Sequence, residues 1–277
     1  MRVAVVTDSA ANLPAELVAR HDISVVPMVL KFGDRVLRDG VDIPEGSFYQ
    51  ALVEEQVPVS TSAPSIGDFG EHFERALSSA DAVVCVVVAS FLSATFDAAT
   101  TAARAFGDRV RVVDSRSASL GEGMPALEAA RAAGDGADME AVAARAREVA
   151  SRSSLIATIN TFEFLRKSGR VNVVLAYAGT ALNIKPVFAF RHGKLEQLGR
   201  PRTRGSAIGK LVDETRAAAA RGPLHLGVVH ADCEDEARAL LERLAAEVET
   251  VETMVSEFTP LMGSHTGPGL LGCAFWA

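Results

Sequence analysis

Four short polar clusters have the composition of a binding site: TDSA (7–10), STSAPS (60–65), ASFLSAT (89–95) and DSRSAS (114–119). Each stands at the end of an apolar run, and open α/β sheets bind ligands beyond the carboxyl ends of their strands. Ser93 lies between the most apolar run, 81–90, and a helical pattern over 95–106. A hydroxyl there either caps the helix or joins the first-turn N–H groups in holding an anion. Ser65 reads as a helix cap in a capping box with Asp68, which leaves Thr61 and Ser62 over as ligand donors. His265 stands in the closing stretch GSHTGPGLLGCAFWA, among glycines 263, 267 and 269. Those glycines pose the question of what needs bare backbone beside an imidazole.

Several chemistries fail on spacing. A phosphate cradle needs glycines that lead into a helix. After Gly269 only LLGCAFWA remains, which reads as a terminal strand, and neither G-x-x-x-x-G-K-[ST] nor G-x-G-x-x-G occurs. A hydrolase triad of Ser93, His265 and Asp8 lacks the nucleophile elbow G-x-S-x-G. The stretch HADCEDE (230–236) lacks the paired spacing of zinc sites, and Asp232 as a helix N-cap accounts for it, so no metal is expected. Arg166, Lys167 and Arg170, with Arg200, Arg202 and Arg204, form two basic clusters. They read either as a solvated face or as an anion- or partner-docking patch, since the guanidinium fork suits carboxylate and phosphate.

The elements that must position these groups follow from pattern. The chain has 277 residues, 48% of them hydrophobic and 23% charged, enough for one large or two modest domains. A net charge of -7 argues against nucleic acid as the main partner. No stretch approaches the ~20 apolar residues of a membrane span. The first residues read as a buried strand and not as a signal peptide. Cys85, Cys233 and Cys273 suggest a reducing compartment without disulfides, Cys85 and Cys273 as buried thiols, so the expected location is cytoplasmic. Apolar runs at 3–7, 23–32 (with Pro27 marking an edge or a bulge), 81–90 and 109–115 alternate with helical patterns at 14–20, 66–77, 95–106 and 121–133. This alternation predicts an α/β domain with parallel strand pairs. Asp138 predicts a helix N-cap, and RHGK (191–194) predicts a hairpin turn with Gly193 at positive φ. A helix over 203–220, a strand over 224–230, a helix over 234–247 and a strand over 251–258 follow. The expected division is an α/β domain over 1–155 and an α+β domain over 156–277, with segment 60–75 crossing between them.

In order along the chain, VTDSAANLP, TSAPSIGDF, SFLSATFDAA, VVDSRSASLGEGMPALEAA, FLRKSGRV, ALNIKPVF with GKLEQLGRPRTR, and HTGPG resemble the motifs of the DegV family of bacterial lipid-binding proteins. The resemblance runs from about Val3 to Trp276. It implies a Rossmann-like parallel-sheet domain followed by an α+β domain, with a long-chain fatty acid buried between them. It further implies a carrier role without catalysis or cofactor of its own. A separate ATP-binding fatty acid kinase subunit would phosphorylate the carboxylate, and peripheral membrane contact would serve ligand exchange. Carried onto this chain, Thr61, Ser62, Ser93, Ala94 and His265 would surround the carboxylate, while Arg170 and Arg202 would serve phosphotransfer and partner docking.

Physical chemistry agrees with that picture. Burying about fifteen methylenes gains on the order of 12 kcal/mol before ordering costs. An unpaired buried carboxylate would erase the gain, so the head group needs several donors. Glycines beside His265 would let its loop approach that head group. Ala94 stands where the family usually has glycine and would be strained if the site needs positive φ there. Ala63 and Ile66 also differ from the family's commoner residues. Phe162, Phe164, Phe188, Phe190 and Met262 are candidates for the tail lining. A Ser/His hydrolase of acyl esters, an ATP-handling kinase and a sensor of another lipophilic ligand remain the rival readings.

Overall fold

The structure, a computed structural model, describes residues 1–43, 48–55, 57–169 and 184–277. The chain begins β1 (Val3–Asp8), α1 (Ala15–Arg20), β2 (Ser24–Val26), β3 (Val29–Phe32), β4 (Arg35–Arg38), α2 (Phe48–Glu54) and β5 (Val59–Ser62). It continues through α3 (Ile66–Leu77), β6 (Ala82–Val87), α4 (Thr95–Ala103), β7 (Val110–Asp114), α5 (Leu120–Gly134) and α6 (Met139–Arg152). Then come β8 (Ser154–Thr158), α7 (Glu163–Lys167), β9 (Val187–Arg191), β10 (Lys194–Gly199) and α8 (Arg204–Ala219). The last elements are β11 (Leu224–His230), α9 (Glu234–Glu247), β12 (Thr250–Glu257), α10 (Pro260–Thr266) and β13 (Leu271–Trp276).

A parallel sheet of order β2-β1-β6-β7 is covered on both faces. Along β6, Val83, Cys85 and Val87 pack with Phe69 and Phe73 of α3, while Ala82, Val84 and Val86 join the core that includes α5 and α6. All six residues of β6 are buried, which is why the run reads as continuously apolar. A second sheet has order β10-β9-β8-β13-β11-β12, antiparallel except for β11 with β12. One face packs on α8 and α9 through Leu211, Leu240 and Leu244. The other turns Leu155, Ala157 and Ala274 toward the core that α5 and α6 share with the first sheet. Helices α5 and α6 are therefore a layer between two sheets, and every residue of α5 from Leu120 to Ala130 is buried. No helix among the described residues is long and apolar enough to cross a membrane.

The apolar run 23–32 departs from its reading as one strand. Proline lacks the N–H that a continuing ladder needs. β2 ends at Val26, and β3 resumes at Val29 in a separate small antiparallel sheet of order β4-β3-β5. That sheet places Thr61 opposite Leu30. Local signals elsewhere match the structure. Ser65 and Asp68 form the reciprocal capping box, Asp138 caps α6, and the β9–β10 turn places His192 and Gly193 at φ 52° and 71°. Asp232 is not the cap expected of it: it has φ 55°, and Cys233 occupies the N-cap position of α9.

Candidate functional site

Thr61 ends up beside the last turn of α10. Its Oγ1 lies 3.2 Å from His265 Nε2. Both line a cavity together with Ser62, Ser93 and Thr266, and apolar side chains make up the rest of its wall, among them Met28, Val88, Leu155, Phe188 and Leu270. Of the candidate tail residues, Phe188, Phe190 and Met262 line this cavity. Phe162 and Phe164 pack against the main core instead.

Ser93 is not a helix cap. The N-cap position of α4 belongs to Ala94, which makes no side-chain cap bond, and Ser93 Oγ is 2.8 Å from Thr95 Oγ1. Ser93 thus lines the cavity wall as a residue of the loop before α4. Ala94 has φ −72°, so alanine carries no left-handed strain there, and it stands at the helix start without lining the cavity. Arg202 is exposed on the segment before α8. Arg170 lies outside the described residues.

Short α10 was not foreseen, because its sequence PLMGSHT mixes proline and glycine with polar groups. Tertiary contacts build it. Asp39, 1% exposed, accepts the Leu261 N–H at 3.0 Å and the Ser9 hydroxyl at 2.7 Å. Tyr49 donates to the Phe258 carbonyl at 2.9 Å, and its ring fills the space where a side chain at Gly263 would begin. Gly267 follows at φ 71° with the Phe164 ring pressed against it. The glycines around His265 thus admit aromatic rings and a left-handed turn. Arg204 of α8 ties down the next stretch by donating to the Gly269 carbonyl at 2.7 Å.

Two buried acids lie beneath the cavity. Asp8 accepts the N–H groups of Ala10 at 2.9 Å and Val88 at 3.0 Å, and both of those residues line it. Burial pushes the Asp8 carboxyl up to about 6. Glu122 of α5, fully buried, accepts the Thr7 hydroxyl at 3.3 Å and lies close enough to Asp8 to feel its charge. Burial, and next the Asp8 charge, push Glu122 well above the carboxylate range, so it holds its proton beside Asp8. With its oxygens on these partners, Asp8 is not placed as the third member of a Ser93–His265 triad.

The HADCEDE stretch is held by structural bonds: Cys233 Sγ donates to the Leu270 carbonyl at 3.2 Å. Glu128, His225 and Glu252 lie close enough together to ligate an ion. Their carboxylates are already engaged, Glu252 by both terminal nitrogens of Arg131 at 2.7 and 2.6 Å, and Glu128 by Arg131 and Arg145. Such ion pairs account for the cluster without a metal.

Fold and cavity together define a two-domain α/β protein that encloses an apolar cavity with a small set of hydroxyl and imidazole groups. Comparison with known proteins narrows this. The model of the DegV family, described as "Uncharacterised protein, DegV family", matches residues 2–277. A DegV domain-containing protein of Streptomyces coelicolor is 38% identical over 272 residues, spanning 98% of this chain and 96% of that one. The chain belongs to the DegV family. Among solved structures, a Thermus thermophilus DegV family protein described as fatty acid binding superposes with TM-score 0.92 at 34% identity, covering 100% of both chains. DegV of Bacillus subtilis, described as a fatty acid binding protein, gives TM-score 0.89 at 29% identity over 100% of this chain and 99% of that one.

Proposed function

We propose that this protein binds a long-chain fatty acid, its tail in the apolar cavity and its carboxylate at Thr61, Ser93 and His265. One observation carries the reading: groups from three distant parts of the chain meet on one largely apolar cavity, with Thr61 and His265 in hydrogen-bond contact. Hydroxyl and imidazole donors offset the cost of desolvating a carboxylate, and the tail supplies the affinity. The fatty acid binding described for the Thermus thermophilus and Bacillus subtilis relatives supports the same ligand class.

In this reading the protein is a carrier that presents its carboxylate to a separate ATP-dependent kinase subunit, with Arg202 and Arg170 at the docking or transfer surface. A hydrolase is the less favoured reading, since Ser93 Oγ is bonded to Thr95 and Thr61 faces the His265 Nε2. Binding is tested by displacement of a fluorescent long-chain acid, expected to be saturable and one to one. Catalysis by the chain alone is tested with a chromogenic acyl ester. Turnover that disappears in Ser93→Ala would overturn the carrier reading.

A further inference from the structure

We infer that Asp39 is a positioning residue for the head-group site: it anchors one end of α10 so that His265, at the other end, meets Thr61. The inference rests on the proposed reading of the cavity as a carboxylate site. Asp39 does not line that cavity, so its effect must pass through other groups.

Geometry supplies the route. Asp39 immediately follows β4, in the small sheet whose strand β5 carries Thr61. Its Oδ1 accepts the Leu261 N–H in the first turn of α10, a position where an anion is favoured by unpaired N–H groups. Its Oδ2 accepts the Ser9 hydroxyl, and Ser9 Oγ in turn accepts the Met28 N–H at 3.2 Å. The Asp39 N–H donates to the Met28 carbonyl at 2.9 Å. Leu261 and Met28 both line the cavity. The small sheet therefore holds the seven-residue helix at two points, Asp39 at its start and Thr61 at His265. A nearly inaccessible carboxylate is costly to bury without donors, and the donors here are the Ser9 hydroxyl and the Leu261 N–H of the histidine helix.

The test compares a saturated long-chain acid with the alcohol of the same length, using wild type, Asp39→Ala, Asp39→Asn and Thr61→Ala. Wild type is expected to prefer the acid. Asp39→Ala and Thr61→Ala should each lower acid affinity about tenfold while alcohol affinity stays within about twofold. Asp39→Asn, whose amide can accept from Leu261 and donate to Ser9, should keep the preference within about threefold. If Asp39→Ala does not fold, Asp39→Ser replaces it with the same expectation, since a serine hydroxyl falls short of Leu261. Equal loss for acid and alcohol, or a preference that survives Asp39→Ala, overturns the positioning role alone. Wild type without preference for the acid overturns it together with the carboxylate reading.

Discussion

Thr61 and His265 are 204 residues apart in the chain, yet their side chains stand 3.2 Å apart on one cavity wall. Thr61 comes from a strand of the small sheet and His265 from a short helix packed on that sheet. Neither residue alone is more than a hydroxyl or an imidazole; together they form a polar tip on an apolar cavity.

The pair should act as a unit. Thr61→Ala and His265→Ala are each expected to weaken fatty acid binding by about 1–2 kcal/mol. The double variant should lose less than the sum, because the two groups share one ligand and one hydrogen bond. Displacement titrations of the four proteins of the cycle check this; strict additivity would contradict it.

Stability should fall as the pH rises, through Asp8 and Glu122. Both carboxyls are raised in the folded state, Asp8 to about 6 and Glu122 well above its ordinary value. Below the unfolded value near 4 their contribution is fully present; above it the folded form keeps protons that the unfolded chain releases. Each retained proton lowers stability by about 1.4 kcal/mol per pH unit until the folded group ionises. In Glu122→Gln the amide cannot ionise, so denaturation midpoints measured from pH 5 to 9 should fall less steeply than in wild type. Parallel curves would contradict the assignment.

An opposite slope is expected at acid pH. The Arg131 guanidinium holds Glu252 down at about 2, helped by His225 at 2.7 Å. This contribution is present above the unfolded value near 4.3 and lost as the pH falls through about 2. For this partly exposed pair solvent screening leaves it at about 1 kcal/mol. Glu252→Gln should flatten the stability profile between pH 5 and 2, read by circular dichroism in urea.

Gly263→Ala should cost roughly 1–3 kcal/mol by overpacking, because the new methyl falls within the Tyr49 ring. Adding Tyr49→Phe would not recover the loss, since the ring and not only its hydroxyl occupies the space. Recovery in the double variant, measured by chemical denaturation, would contradict this account of the glycine.

Much of this was legible because it is local. The continuous apolar run over 81–90, the Ser65–Asp68 box and Gly193 in its turn each act over a few residues, so pattern alone locates them. The split of 23–32 was only half signalled by Pro27, since which sheet receives β3 depends on partners far along the chain. Helix α10 escaped notice because its own residues favour a loop, and Asp39 and Tyr49 build it from outside. Asp39 stands in RDGVD, where composition suggests an exposed turn; nothing nearby in sequence announces that Leu261 will bury it. Glu122 was missed for a similar reason: only the layering of α5 between two sheets deprives it of solvent. Ser93 lies between β6 and α4 as the pattern predicts, but whether it caps the helix or lines a cavity depends on where α4 begins.

Native mass spectrometry of the purified protein tests the central claim most directly. The account predicts a chain carrying one added mass equal to a long-chain fatty acid, released on unfolding and diminished in Thr61→Ala. A chain that is empty even after incubation with such an acid, or that carries a nucleotide in its place, would contradict it.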